Sequence, residues 1–279
     1  MLAPVVVGVD GSSTALDAVA FAAAEAFLRR RPLHIVHASP TPRVAGSEAT
    51  FRAHAAAVTA DARVRAEKAA PGLDLVTDIV TGPPAPVLLD RGRSAFLLVV
   101  GRRGLGGFAG LLTGSVAMHL AAHGSCPIVV TRGERRITEP VVVGVDGSGT
   151  ARRAVEFAAE EARMRGAELV VMHAWRTPVT YAGGTMMPVV YDPALLEAEE
   201  DGILTAAVAG LGDRFPGLAV RRVLVRGPAA RLLTDLSRHA QLVVTGDRGH
   251  GAFTGLLLGS VSHHLIAHAD CPVIVVRNS

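Results

Sequence analysis

The chain has 279 residues, 49% of them hydrophobic and 19% charged, enough for two domains of about 140 residues and too apolar for a disordered tail. Aromatics make up only 4%, which argues against a stacking platform for nucleic acid, and the formal charge of +3 is spread thinly. There are 15 basic against 11 acidic residues through Glu139 and 13 against 14 after it, with no basic run longer than Arg29-Arg30-Arg31. All 28 basic residues except Lys68 are arginine, and no Gly-Lys-Ser/Thr stretch occurs, so a Walker-type phosphate loop with its lysine is excluded.

Pro4-Val5 opens an apolar run with no basic segment before it, so the amino terminus reads as a strand rather than a signal peptide. No apolar stretch is long enough to cross a bilayer. The expectation is a cytoplasmic protein with neither membrane nor nucleic acid as its partner. From there, Val5–Val9, Leu33–Ala38, Leu73–Val80, Phe96–Val100 and Ile128–Val130 are short runs, most of them nearly continuous in Val, Leu and Ile. Such runs suit parallel strands covered on both faces. Ala-rich helical stretches lie between them, near 13–30, 48–70, 85–92 and 114–123, with Ser12 or Ser13 available to cap the first and Pro71-Gly72 to end the second.

The pattern then repeats. PVVVGVDGS at 4–12 returns at 140–148, and His37-Ala38 returns as His173-Ala174, both shifted by 136. Gly82-Pro83, Gly101, Gly104, Gly114, Ser115 and Cys126-Pro127 return as Gly227-Pro228, Gly246, Gly249, Gly259, Ser260 and Cys271-Pro272, shifted by 145. The second copy therefore carries nine extra residues, assigned to the stretch from Thr177 to Pro193. The expected architecture is two tandem open α/β sandwich domains, residues 1–137 and 138–279. Each is a mainly parallel five-stranded sheet with helices on both faces and ligands beyond the carboxyl ends of the strands.

Two elements at those strand ends carry chemistry. The first is Gly101-Arg-Arg-Gly104, nine residues, then Gly114-Ser115, matched by Gly246-Asp-Arg-Gly249, nine residues, then Gly259-Ser260. Glycines let backbone N–H groups approach an anion closely, and Gly-Ser opening a helix offers its free N–H groups and dipole to a phosphate. The serine hydroxyl can donate to the same oxygens, and Arg103 and Arg248 lie within the loops to add charge. The second element is Gly8-Val-Asp10, repeated as Gly144-Val-Asp146, whose carboxylate can meet a ribose, a base or a metal beside phosphates, or can serve as a turn or cap. Neither turn has the G-x-G-x-x-G fingerprint of a nicotinamide enzyme.

These motifs, with the Cys-Pro-Ile/Val-Val-Val endings, resemble the universal stress proteins over nearly the whole chain, twice, as in tandem members of that family. The resemblance implies ATP binding, with Mg²⁺, in both halves. It implies that Gly101, Gly104, Gly114 and Ser115, and Gly246, Gly249, Gly259 and Ser260, surround the phosphates. It also implies that Asp10 and Asp146 meet the adenosine or its metal, and that Ala38 and Ala174 meet adenine through backbone atoms. It further implies that the strands near 127–131 and 272–276 pair, and it leaves a homodimer and an unknown protein partner as expectations. Autophosphorylation at Ser115 or Ser260, known for some relatives, slow ATP hydrolysis and cyclic AMP as ligand are the alternatives. No repeated His or Glu stands near the loop to orient water, so binding is preferred to turnover.

Other residues invite simpler readings. His119 and His123, and His264 and His268, place two rings on one helix face, but no third ligand is in view. Cys126 and Cys271, one per copy, form no disulfide framework and read as small buried residues.

Overall fold

Aliphatic runs without polar alternation have no solvent face to offer, so they require cover on both sides. A computed structural model shows how the chain provides it, describing residues 2–39, 48–105, 113–133, 136–177, 179–182, 185–188, 192–249 and 257–277. The first copy runs β1 (Val5–Val9), α1 (Ser13–Leu28), β2 (Leu33–Ser39), α2 (Glu48–Ala69), β3 (Leu75–Thr81), α3 (Pro84–Gly92), β4 (Leu97–Gly101), α4 (Ser115–His123) and β5 (Ile128–Thr131). Its five strands are all parallel, in the order β3-β2-β1-β4-β5. Right-handed crossovers stepping from β1 to β3 place α1 and α2 on one face, and the reversal from β3 to β4 places α3 and α4 on the other. The contacts agree: α1 packs on α2, and α3 on α4. Val5, Val7, Leu97, Leu98, Val99, Ile128 and Val129 are fully buried between these layers.

The second copy runs β6 (Val141–Val145), α5 (Gly149–Arg165), β7 (Leu169–Trp175), β8 (Val179–Ala182), β9 (Thr185–Pro188), α6 (Pro193–Val208), α7 (Leu211–Arg214), β10 (Val220–Arg226), α8 (Ala229–Ser237), β11 (Leu242–Gly246), α9 (Ser260–His268) and β12 (Val273–Val276). Strands β10-β7-β6-β11 repeat the parallel order of the first copy. The antiparallel pair β8–β9 lies inside the interval to which the nine extra residues were assigned.

By contacts, the described residues up to 133 together with 266–277 form one compact unit, and 136–265 form the other. The last strand of the second copy thus belongs to the first unit. There β12 runs antiparallel to β5, with Val273 opposite Val130 and Val275 opposite Ile128, as the family resemblance implied. Arg132 donates to the Ile266 carbonyl at 2.8 Å and Arg277 to the Ala121 carbonyl at 2.6 Å, tying helix ends to strand ends within that unit.

Local signals explain the element boundaries. Ser12 and Ser148 each cap their helix by accepting from the N–H three residues on, Ala15 or Ala151, at 3.2 Å, a bond worth about 1 kcal/mol. Gly72, at φ +80°, turns the chain after α2 where few other residues could. Glu25 and Glu161, both fully buried, pair with Arg29 and Arg165 one turn on. Among the described residues no helix is long and apolar enough to cross a membrane.

Candidate functional site

Between β1 and β4 the chain order reverses, so the connections leave the two strands in opposite directions and open a crevice at their carboxyl ends. Asp10 stands at the end of β1. Its carboxylate accepts from the Ser12 N–H at 3.0 Å, the Ser12 hydroxyl at 2.6 Å and, on the other oxygen, the Leu105 N–H at 2.8 Å. Asp10 therefore ties the first strand to the glycine loop that follows β4. The tie requires Gly104, because a Cβ there would lie 2.2 Å from Asp10 Oδ2. Gly101 is equally constrained: its Cβ would lie 2.7 Å from the Thr14 carbonyl oxygen in the first turn of α1. The Thr14 hydroxyl donates to the Arg103 carbonyl, drawing the loop onto that helix.

Gly114 precedes α4 in extended geometry, its N–H donating to the Arg102 carbonyl at 2.7 Å. No side chain caps this helix, so the N–H groups of its first turn, beginning at exposed Ser115, are available to an anion. Gly8 serves the packing instead, since a Cβ there would sit 2.6 Å from Leu88 Cδ1 and would keep the α3 leucine off β1. Ala38 is half-buried near the end of β2, directly after buried His37, whose Nδ1–H donates to the Val9 carbonyl at 2.9 Å.

The second unit repeats this geometry around a cavity of about 490 Å³. Gly144, Asp146, Ala174, Gly246, Arg248, Gly249, Gly259 and Ser260 all line it, so the second copy's two strand-end elements and Ala174, eight residues in all, reach one space. Asp146 accepts from the Ser148 N–H at 3.0 Å, and a Cβ on Gly249 would lie 2.1 Å from Asp146 Oδ2. Gly259 N–H donates to the Asp247 carbonyl at 2.7 Å. Behind Ala174, His173 Nδ1–H donates to the Val145 carbonyl at 2.8 Å while Nε2 lies 2.6 Å from Glu200 Oε2 on α6.

Several cavity residues were not singled out from the sequence. Met172, Ala229, Leu233 and Val261 supply an apolar wall, and Thr245 and Ser262 a polar floor. Ser262, 2% exposed, donates to the Gly246 carbonyl at 2.6 Å, and its oxygen lies 3.4 Å from the Thr245 hydroxyl. The first copy has Val100 and Ala117 at these places. The copies differ again beside the first glycine, where Arg102 corresponds to Asp247, the latter 1% exposed and 3.8 Å from Arg248 Nε. In the first unit burial, and then the Arg102 guanidinium, pull the Arg132 pKa below its usual value.

The remaining candidates stay apart from these loops. His119 and His123 stack with ring centroids 4.2 Å apart, and His123 Nδ1–H donates to the His119 carbonyl at 2.9 Å. Among the described residues no group of three His, Cys, Asp or Glu side chains is placed to hold a metal ion. Cys126 and Cys271 are both buried thiols, and burial pushes the Cys126 pKa up to about 11.

Compared with known proteins, the chain matches the model of the universal stress protein family twice, over residues 1–132 and 138–277. A universal stress protein of Mycobacterium tuberculosis is 37% identical, with 99% of this chain and 96% of the relative covered. Among solved structures, a universal stress protein from Archaeoglobus fulgidus is alike in fold, with a TM-score of 0.74 at 17% identity, covering 99% of this chain and 98% of that one. A universal stress protein solved in complex with cAMP is 30% identical over 47% of this chain and 97% of its own, with a TM-score of 0.40.

Proposed function

The chain belongs to the universal stress protein family, and on that premise we propose that each half binds an adenine nucleotide, ATP with Mg²⁺ foremost, and that occupancy sets conformation or partner choice in a stress response. The observation that carries this reading is the convergence of all eight second-copy motif residues on one cavity. Its lining includes the glycine loop, the start of α9 and Arg248, groups that suit an anion. The same lining holds Met172, Ala174, Ala229 and Leu233, apolar groups that suit a base. The same glycines, held by the same carboxylate contact in the first unit, support a second site there.

Phosphate is held in this reading by backbone amides, a helix terminus, a serine and an arginine rather than by a lysine point charge. Asp10 already accepts three protein hydrogen bonds, so Mg²⁺ would be held chiefly through the nucleotide's own phosphate oxygens. Domains 1–137 and 138–279, a cytoplasmic location and a homodimer belong to the same proposal, and fractionation and light scattering test the last two.

Calorimetry on the purified chain with ATP–Mg²⁺, ADP, AMP and cyclic AMP, with mass spectrometry of small molecules released on denaturation, tests the central claim. Two adenine nucleotides bound per chain is the expected result. No binding of any of them at millimolar concentration overturns it, and selective binding of cyclic AMP replaces ATP as the ligand.

A further inference from the structure

His37 and His173 are counterparts in the two copies, and each donates from Nδ1 to the last residue of its copy's first strand, the Val9 carbonyl at 2.9 Å and the Val145 carbonyl at 2.8 Å. With Nδ1–H so committed, Nε2 is the nitrogen left for another partner. The helices that cover the two histidines occupy equivalent places. A Cβ on Gly11 would lie 3.0 Å from Val58 Cγ2 of α2, and one on Gly147 3.3 Å from Ile203 Cγ2 of α6, so each helix presses on the turn after the site aspartate. What the helices offer the histidine differs in charge. α2 presents His54, its ring edge-on to His37 with centroids 6.3 Å apart, whereas α6 presents Glu200, its Oε2 2.6 Å from His173 Nε2.

The surrounding elements do not cancel this difference. In the first unit, the sheet face of His37 carries Val9 on β1 and Thr77, Ile79 and Thr81 on β3. The one ionisable side chain that α1 buries, Glu25, pairs with Arg29, and Arg65 of α2 pairs with Asp17. In the second unit, α5 likewise buries Glu161 against Arg165. On β10, Arg222 and Arg226 share the face of His173, where Arg222 pairs with Asp201 of α6 and Arg226 lies over the Trp175 ring.

A hydrogen bond between Nε2 and a carboxylate needs a proton, and a proton on Nε2 makes an ion pair with Glu200. Protonation of His37 and His54 together instead sets two cations against each other. His173 does not itself line the cavity, but its supports do: Val145, which accepts from it, and Met172 and Ala174, which flank it in β7.

We propose that Glu200 is a positioning residue of the second site, acting through His173 to hold α6, Val145 and Ala174 in place under acid conditions in which the His37–His54 pair loosens the first site. The inference rests on the nucleotide reading above and gives the two halves unequal responses to pH. Acidification supplies the proton that the His173–Glu200 bond requires, so the bond persists until the carboxylate itself is protonated. The same acidification adds repulsion under α2.

The full chain is titrated calorimetrically with ATP–Mg²⁺ at about pH 8 and about pH 5.5, which bracket the range where histidine gains its proton. Gly104→Val and Gly249→Val backgrounds, each left with one site, assign the events to halves. Protonation of the ligand acts on both sites alike, so their difference isolates the protein. The first site is expected to weaken about tenfold on acidification and the second by less than about twofold. His54→Glu is expected to remove the acid loss from the first site, and Glu200→His to bring it to the second. Glu200→Gln, which keeps a hydrogen bond but no charge, is expected to introduce a smaller acid loss there. Two bound nucleotides with equal pH profiles, or a second-site profile unchanged by both Glu200 variants, overturns the inference and leaves the nucleotide reading standing. A wild-type chain that binds no nucleotide at either pH overturns both.

Discussion

The two glycine loops, Gly101 to Ser115 and Gly246 to Ser260, agree wherever a Cβ is forbidden and differ where side chains are free to vary. Gly104 and Gly249 each lie against an aspartate oxygen, with room for no side chain, and Gly8 and Gly144 each admit a leucine from a covering helix. Around these shared constraints the first copy carries Arg102 in the loop and Val100 and Ala117 beside it, and the second Asp247 in the loop and Thr245 and Ser262 beside it. Close backbone approach is thus a common requirement, while the charge and polarity beneath the loop distinguish the halves. On the proposed function, the two halves bind through one backbone frame and unequal side-chain chemistry.

The largest test of the comparison removes one glycine at a time. Gly104→Val and Gly249→Val are each expected to abolish binding in their own half, by about a hundredfold or more, and to lower the calorimetric stoichiometry from two to one. Loss of both sites in either single variant would show that the halves are not independent. Next come the leucines that fill the space over Gly8 and Gly144. Leu88→Ala and Leu233→Ala should each destabilise the fold by about 2–5 kcal/mol in chemical denaturation, because both are buried against a strand. Leu233→Ala should in addition alter nucleotide affinity, since Leu233 lines the cavity.

A smaller effect is expected from Ser262→Ala, which gives the second copy the first copy's residue. Losing the bond to the Gly246 carbonyl is expected to cost about 1 kcal/mol of stability in chemical denaturation, at unchanged binding stoichiometry. The smallest concerns Cys126. Its thiol pKa is raised from 9.0 to about 11 by burial, so the folded state favours the protonated thiol. The stability this contributes is complete below pH 9.0 and is lost as pH rises toward 11. Cys126→Ala should flatten that alkaline decline in thermal melts, and thiol reagents near neutral pH should label Cys126 only after unfolding.

Much of this arrangement was legible from residue order. The strands between Val5 and Thr131 start within two residues of the aliphatic runs. In β1, β2, β4 and β5 a mostly buried run gives a sharp compositional edge, whereas the edge strand β3 leaves Val76 and Ile79 exposed. The change of repeat offset from 136 to 145 located the extra residues, although their pairing as β8 and β9 was not visible. The convergence of Gly144, Asp146, Ala174 and the second glycine loop followed from their shared position at strand ends. Gly8 stands with Asp10 in the second site element, yet its contact with Leu88 belongs to helix cover, and spacing alone does not separate the two uses. Thr245 and Ser262 passed unnoticed because a hydroxyl in an apolar run declares no partner. Only the approach of α9 to β11 makes them a floor.

What the sequence determined by itself is therefore the parallel α/β plan, its duplication, the glycines and the absence of a lysine from the glycine loops. Each of these is a property of composition, period or spacing, readable along one dimension. Tertiary structure alone decided that Asp10 secures the Leu105 N–H and that Ser262 reaches the Gly246 carbonyl. Those facts depend on which strands become neighbours and which way a side chain leaves the sheet. Contacts between residues far apart along the chain settle both.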